Sequence, residues 1–200
     1  WMAFGVAAMA GAYLVAIAGW VIAAVGIASI LATLGYVGGP FPYGYHGLGE
    51  VFVFVFFGPV ATVSTRYVHA DHAAPLAAWL LAIPVGLLVS AILVANNIRD
   101  LDTDRATGKR TLAVLIGRDR TRALYAALVW GTFVAVAIFG MAGWAPRATT
   151  LAALLAPLAV PLVRSARRAT DGPTLVALLK GTARLHLVVG LALAATAIIG

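Results

Sequence analysis

Hydrophobic positions run almost unbroken from residue 1 to residue 36, and the first charged side chain in the chain is Glu50. One bilayer crossing needs about 20 apolar residues, so this run predicts two helices, joined by a tight turn near Gly19-Trp20. Apolar segments at 1–18 and 20–36 are followed by others at 51–68, 74–95, 123–142, 148–163 and 182–199. The pattern predicts an all-α fold, a polytopic transmembrane helix bundle of about seven spanning helices. Pro59, Pro84, Pro157 and Pro161 fall inside predicted helices, where kinks are expected and neighbouring helices re-satisfy the freed carbonyls. Gly and Ala on every segment permit close helix approach without identifying a pair.

Composition agrees: the chain is 62% hydrophobic and 10% charged, against roughly 25% charged in soluble domains. Its net charge of +7 would suggest nucleic acid in a polar chain. Here the basic residues sit between apolar segments and form no aromatic-interleaved basic face, so no nucleic-acid partner is expected. The bilayer itself is the expected partner. The absence of cysteine excludes disulfides and thiolate chemistry, leaving oxygen and imidazole as the only metal ligands.

Seven crossings put alternate loops on opposite sides. One side, with loops 37–50, 96–122 and 164–184, carries twelve of the fourteen Lys and Arg, leaving only Arg66 and Arg147 for the other. The positive-inside rule then makes the twelve-residue side cytoplasmic, with Trp1 near it and Gly200 opposite. The expected location is the cell (inner or plasma) membrane, multi-pass. The chain opens Trp1-Met2-Ala3 without a charged n-region or cleavage pattern, so it does not begin like a signal peptide and is expected to be N-terminally incomplete.

The interval 96–122 holds seven of the fourteen basic and four of the seven acidic residues. If the helix ending near Ala95 continues, Asn97, Asp100 and Asp104 share one stripe at i, i+3 and i+7 while Asp102 points away. Two carboxylates one turn apart plus an amide suit a hard cation that is also held by substrate phosphates, which describes Mg²⁺. Lys109 and Arg110 follow closely enough to contact the remaining phosphate oxygens. Taken alone, they read equally as basic anchors of the topology.

The string from Asn96 to Arg105, followed by Gly108-Lys109-Arg110-Thr111-Leu112-Ala113-Val114 and Gly117-Arg118, closely resembles the second aspartate-rich motif of UbiA-type intramembrane prenyltransferases. Within them it looks most like the 1,4-dihydroxy-2-naphthoate polyprenyltransferases of menaquinone synthesis. The stretch from Tyr36 to Glu50, running into Val51-Phe52-Val53-Phe54, is similar to the loop between that family's fourth and fifth helices. The two motifs lie on one face of the membrane, and the resemblance covers the region from the family's third helix to its ninth. Residues 1–200 then form a single transmembrane prenyltransferase domain lacking the family's first two helices, and its first aspartate motif has no counterpart.

The resemblance implies transfer of a polyprenyl group from an allylic diphosphate to 1,4-dihydroxy-2-naphthoate, with decarboxylation, giving demethylmenaquinone. It implies Asp100 and Asp104 as catalytic metal ligands for Mg²⁺, Asn97 as a supporting ligand or hydrogen-bond donor, and Lys109, Arg110, Asn96 and Arg99 as substrate contacts. With one acidic motif of two, the 200 residues are expected to be inactive alone. Tyr43 and Tyr45, with His46 and Glu50, either face the aromatic substrate or, for the tyrosines, anchor a helix end at the interface.

Competing readings remain at this stage. They are a UbiA-type enzyme with another aromatic acceptor, and a transporter or non-catalytic bundle. A CDP-alcohol phosphotransferase is disfavoured, because its clustered aspartate signature is absent. His69, Asp71 and His72 read as a solvated turn, His186 as a hydrogen-bonded structural histidine, and Arg164, Arg167 and Arg168 as snorkelling to the interface. The Phe-rich run at 51–57 is lipid-facing, core, or lining for a prenyl chain.

Overall fold

In a computed structural model of the chain, which describes residues 2–199, every regular element is helical. The expected sides of Trp1 and Gly200 therefore lie outside the described residues. Helix α1 spans Met2–Ala18 and α2 Trp20–Val37. They are separated by Gly19 alone, whose φ of +77° suits glycine and folds the chain into the expected hairpin. Helix α3 covers Gly49–His69, α4 Leu76–Ala106, α5 Leu112–Ile116, α6 Arg118–Met141, α7 Arg147–Arg168 and α8 Gly172–Ile199.

Among the described residues, six helices are long and apolar enough to cross a membrane, namely α2, α3, α4, α6, α7 and α8, and α1 is an apolar but shorter helix. The protein is thus a multi-pass membrane protein.

Helix α4 is the centre of the bundle and packs against α3, α6 and α8. Ala91, Val94, Ala95, Ile98 and Leu101 are buried at helical spacing along it, and the first four share a core with Tyr125, Val129 and Phe133 of α6 and Leu178, Leu185 and Val189 of α8. Helices α1 and α2 stand at the periphery, where Ala18 and Ile22 are their buried side chains.

Two local features depart from regular α-helix. Residues Phe56–Val60 of α3 form a widened π turn around Pro59, which has no N–H to give to an ordinary turn. The same turn carries Gly58 against the α4 backbone, where a Cβ would lie 2.7 Å from the Cα of Gly86. The first half of α7, Arg147–Leu158, is wound as a 3-10 helix before the chain relaxes into α-helix around Pro161.

One helix start differs from the sequence reading. Helix α8 begins at Gly172, ten residues before the apolar segment, so Lys180 and Arg184 are helical rather than part of a loop. Asp171 caps that start by accepting the backbone N–H of Thr174 at 2.9 Å, allowing a polar first turn that hydropathy alone does not register. Asp71 and His72 occupy left-handed backbone (φ 49° and 52°) in the exposed turn between α3 and α4, in line with a solvated connector.

Candidate active site

Helix α4 continues without a break from its membrane segment through Ala106, so the aspartate-rich string is helical. Gly108, with φ +77°, ends it. The N–H of Lys109 donates to the Asp104 carbonyl at 2.9 Å and that of Gly108 to the Arg105 carbonyl at 3.2 Å, which is the double closure of a glycine-terminated helix. This closure folds Lys109 back over the last turn. Its Nζ reaches 3.4 Å from Asp104 Oδ1.

The helical phase sorts the three aspartates as expected. Asn97 and Asp104 are buried, at 7% and 8% exposure, and Asp100 is half-buried on the turn between them. Asp102 faces the other way, with its side chain 75% exposed, and pairs with Arg118 of α6 at 2.6 Å. Arg118 also donates to the Ile98 carbonyl at 3.1 Å, which ties the start of α6 to α4.

Two carboxylates one helical turn apart repel each other. Each is balanced by a neighbour. Arg99 Nε lies 2.7 Å from Asp100 Oδ1 and its Nη2 2.8 Å from Oδ2, and Asn96 Nδ2 donates to the same Oδ2 at 3.1 Å. Arg99 Nη2 also reaches Asn96 Oδ1 at 2.8 Å, so Asn96, Arg99 and Asp100 form one closed network. Asp104 is balanced by Lys109. Arg110 is exposed beside them.

The loop after α2 is brought onto this helix end. The N–H of Arg110 donates to the Tyr45 carbonyl at 3.2 Å, and Lys109 Nζ sits 5.4 Å from the centre of the Tyr45 ring. Gly47, at φ +74°, sits so close to α5 that a Cβ would lie 2.6 Å from a Leu115 methyl. Glu50, in the first turn of α3 and 7% exposed, accepts from Asn97 Nδ2 at 2.8 Å. The loop 169–171 reaches the same end of the bundle, where Arg122 donates to the Ala169 carbonyl at 2.6 Å.

The two tyrosines divide. Tyr45 is half-buried in the site. Tyr43 is buried; its hydroxyl donates to the Ala32 carbonyl and its ring stacks on Phe52 at 3.7 Å. Burial raises the Tyr43 pKa, so the hydroxyl stays protonated and holds the loop to α2. His46 lies outside, stacked on Phe41 and bonded to the Pro42 carbonyl.

Below the loop, between α2 and α3, is a cavity of about 550 Å³ walled by Phe52, Phe56 and Phe57, with Tyr36 and Tyr43 at its upper end. Part of the Phe-rich run thus lines a space.

Among the described residues no three His, Asp or Glu converge as a metal cage. The donor set of Asp100, Asp104 and Asn97 is nevertheless one that a Mg²⁺ ion accepts when phosphate oxygens complete it, because that ion is commonly held by one or two carboxylates with substrate phosphates and water. His186 corrects the sequence reading. Its Nδ1 is buried without a hydrogen-bond partner, while the Thr182 hydroxyl on the turn before it bonds to Tyr125 at 2.7 Å.

Sequence reasoning attached no contact to Tyr36 or to the Arg118–Asp102 pair. Both depend on tertiary docking, and their spacing carries no signal.

Comparison with known proteins places these features in context. The UbiA prenyltransferase family matches residues 1–187. The chain is 39% identical over 171 residues to the 1,4-dihydroxy-2-naphthoate octaprenyltransferase of Mycobacterium leprae, covering 85% of this chain and 56% of that protein. With the enzyme of the same name from Mycobacterium tuberculosis it shares 38% identity over 200 residues, 94% of this chain and 66% of the relative. With the one from Escherichia coli it shares 37% over 156 residues, 78% and 50% respectively. The chain thus spans between half and two thirds of the length of these relatives.

Proposed function

Because the chain belongs to the UbiA prenyltransferase family, we propose that it transfers a polyprenyl group from an allylic diphosphate to 1,4-dihydroxy-2-naphthoate at the cytoplasmic face of the cell membrane. The acceptor ring carbon bonds to the allylic carbon as the C–O bond to diphosphate breaks. The carboxylate on that ring carbon then leaves as CO₂, and the electron pair of the broken C–C bond restores the aromatic hydroquinone with no net gain or loss of a proton. The relatives' names support this acceptor.

One observation carries the reading: Lys109 touches both motifs at once, lying 3.4 Å from Asp104 and 5.4 Å from the Tyr45 ring centre. A diphosphate drawn to Lys109 therefore arrives between the acidic stripe and the aromatic loop. Arg99, Arg110 and Asn96 supply further donors to its oxygens. As Lys109 and Arg99 turn to the diphosphate, Asp104 and Asp100 lose their balancing cations and become free to hold Mg²⁺, with Asn97 in support. That ion would offset the charge growing on the departing diphosphate. The cavity beneath Tyr43 gives the isoprenoid chain an apolar berth, and the bundle keeps water from the allylic cation.

The test is conversion of 1,4-dihydroxy-2-naphthoate and a polyprenyl diphosphate to a demethylmenaquinone by membranes containing the full-length protein to which these residues belong, with and without Mg²⁺; residues 1–200 by themselves are expected to give none. Product only with Mg²⁺ and only from this acceptor is expected. Equal turnover of another aromatic acceptor would overturn the assignment of substrate.

A further inference from the structure

The geometry points to Glu50 as a positioning residue that fixes the orientation of the Asn97 amide, and so turns its oxygen toward the Asp100–Asp104 stripe. This inference rests on the proposed site and adds a residue to it.

Glu50 and Asn97 are 47 positions apart, both 7% exposed, and joined by a 2.8 Å hydrogen bond from Asn97 Nδ2 to Glu50 Oε1. A carboxylate accepts only, so it captures the donor end of the amide and no other. The oxygen of Asn97 is thereby directed away from Glu50. Asp100 and Asp104 lie three and seven residues further on, on the same stripe of the helix as Asn97, and are the acidic neighbours that the freed oxygen can join.

Packing alone does not call for a charge here. Burying a carboxylate is costly, and a glutamine would fill the same space. A glutamine, however, presents either end to Asn97 and leaves the orientation open. Glu50 is itself held: its carbonyl accepts the Ser90 hydroxyl at 3.4 Å, and the loop before it is pinned by Arg110 to the Tyr45 carbonyl. Groups that orient a ligand in this way are commonly worth 10–100-fold in metal affinity.

The experiment is an exchange. In membranes solubilised with the protein intact, the rise in unfolding midpoint on adding Mg²⁺ with inorganic pyrophosphate is measured, and the Mg²⁺ concentration for half the effect is read. Glu50→Gln is expected to raise that concentration about 10–100-fold. Asn97→Asp sets two buried carboxylates against each other and is expected to be worse. The double change, Glu50→Gln with Asn97→Asp, restores a donor facing an acceptor and leaves an oxygen for the cation, so the half-effect concentration returns toward that of the unaltered protein.

A half-effect concentration unchanged in Glu50→Gln, or a double variant no better than Asn97→Asp alone, would overturn the proposal. If Glu50→Gln fails to fold, the double variant decides, since its bond is intact. Asp104→Asn separates the two levels of the argument. If it abolishes the Mg²⁺ effect while Glu50→Gln leaves it unaltered, only the role of Glu50 fails. If Asp104→Asn leaves the effect intact, the metal site itself is wrong.

Discussion

Replacing each aspartate of the α4 string by asparagine changes charge and almost nothing else, so the three variants isolate what each carboxylate does. Asp104 is 8% exposed and faces the site, where Asn would leave Lys109 without its 3.4 Å partner and remove one of two carboxylates. Deleting one preorganised electrostatic group of this kind costs about 10²–10³ in rate, or about 3–4 kcal/mol. The same loss is expected at Asp100. Asp102 is different in kind. Its side chain is 75% exposed, and its partner Arg118 keeps a second anchor on the Ile98 carbonyl. An exposed ion pair is worth about 0.2–1 kcal/mol, less than about a fivefold effect at 1.36 kcal/mol per factor of ten. The assay is Mg²⁺-dependent consumption of polyprenyl diphosphate per inserted molecule of the full-length protein, compared across Asp100→Asn, Asp102→Asn and Asp104→Asn. Equal loss at all three positions would refute a single acidic face on this helix.

Three further outcomes follow from other parts of the bundle. A cysteine introduced at the exposed Thr107 is expected to react with a membrane-impermeant maleimide only from the cytoplasmic side, and the cysteine-free background makes labelling from outside a direct refutation. Gly58→Ala places a methyl group 2.7 Å from the Gly86 Cα, so α3 and α4 must separate; a loss of about 1–3 kcal/mol is expected in detergent unfolding, and an unchanged midpoint would contradict the close crossing. The Thr174 N–H holds the Asp171 pKa below its ordinary value, so the stabilisation is present above about pH 4 and is lost as pH falls through the lowered value. The difference in unfolding midpoint between the unaltered protein and Asp171→Ala should therefore shrink on acidification and stay constant from pH 6 to 8.

What the sequence made legible was whatever depends on period and charge balance. The apolar lengths predicted the helices, and the 100° step per residue separated Asp102 from Asp104 before any contact was known. The start of α8 was not legible from hydropathy, because Thr174, Lys180 and Arg184 read as loop and only the Asp171 cap reveals a helix there. The bond between Glu50 and Asn97 was not legible either, because the sequence reading grouped Glu50 with the aromatic loop facing the substrate and gave it no partner. Only the docking of α3 against α4 brings Glu50 to Asn97. The π turn at Pro59 was foreseen as a kink, but its exchange of regular winding for a glycine–glycine crossing depends on Gly86 lying opposite.

The length of α4 explains why a polar site and an apolar cavity adjoin. At about 1.5 Å per residue, the twenty residues from Leu76 to Ala95 already span about 30 Å, the thickness of the hydrocarbon core. The helix nevertheless continues to Ala106, so the residues from Asn96 onward exceed the length that one crossing needs. Carboxylates placed one or two turns deeper would meet a steep desolvation cost, and placed in a free loop they would lose their fixed spacing. On a rigid extension of a buried helix they keep their register, with Arg99 and Lys109 close enough to balance their charge. The aromatic loop folds over this extension through Arg110 and Tyr45, and the cavity bounded by Phe52 and Phe56 begins directly beneath Tyr43. A ligand suited to both regions has a strongly anionic head at the interface and an isoprenoid tail in the bundle, which is the form of a polyprenyl diphosphate.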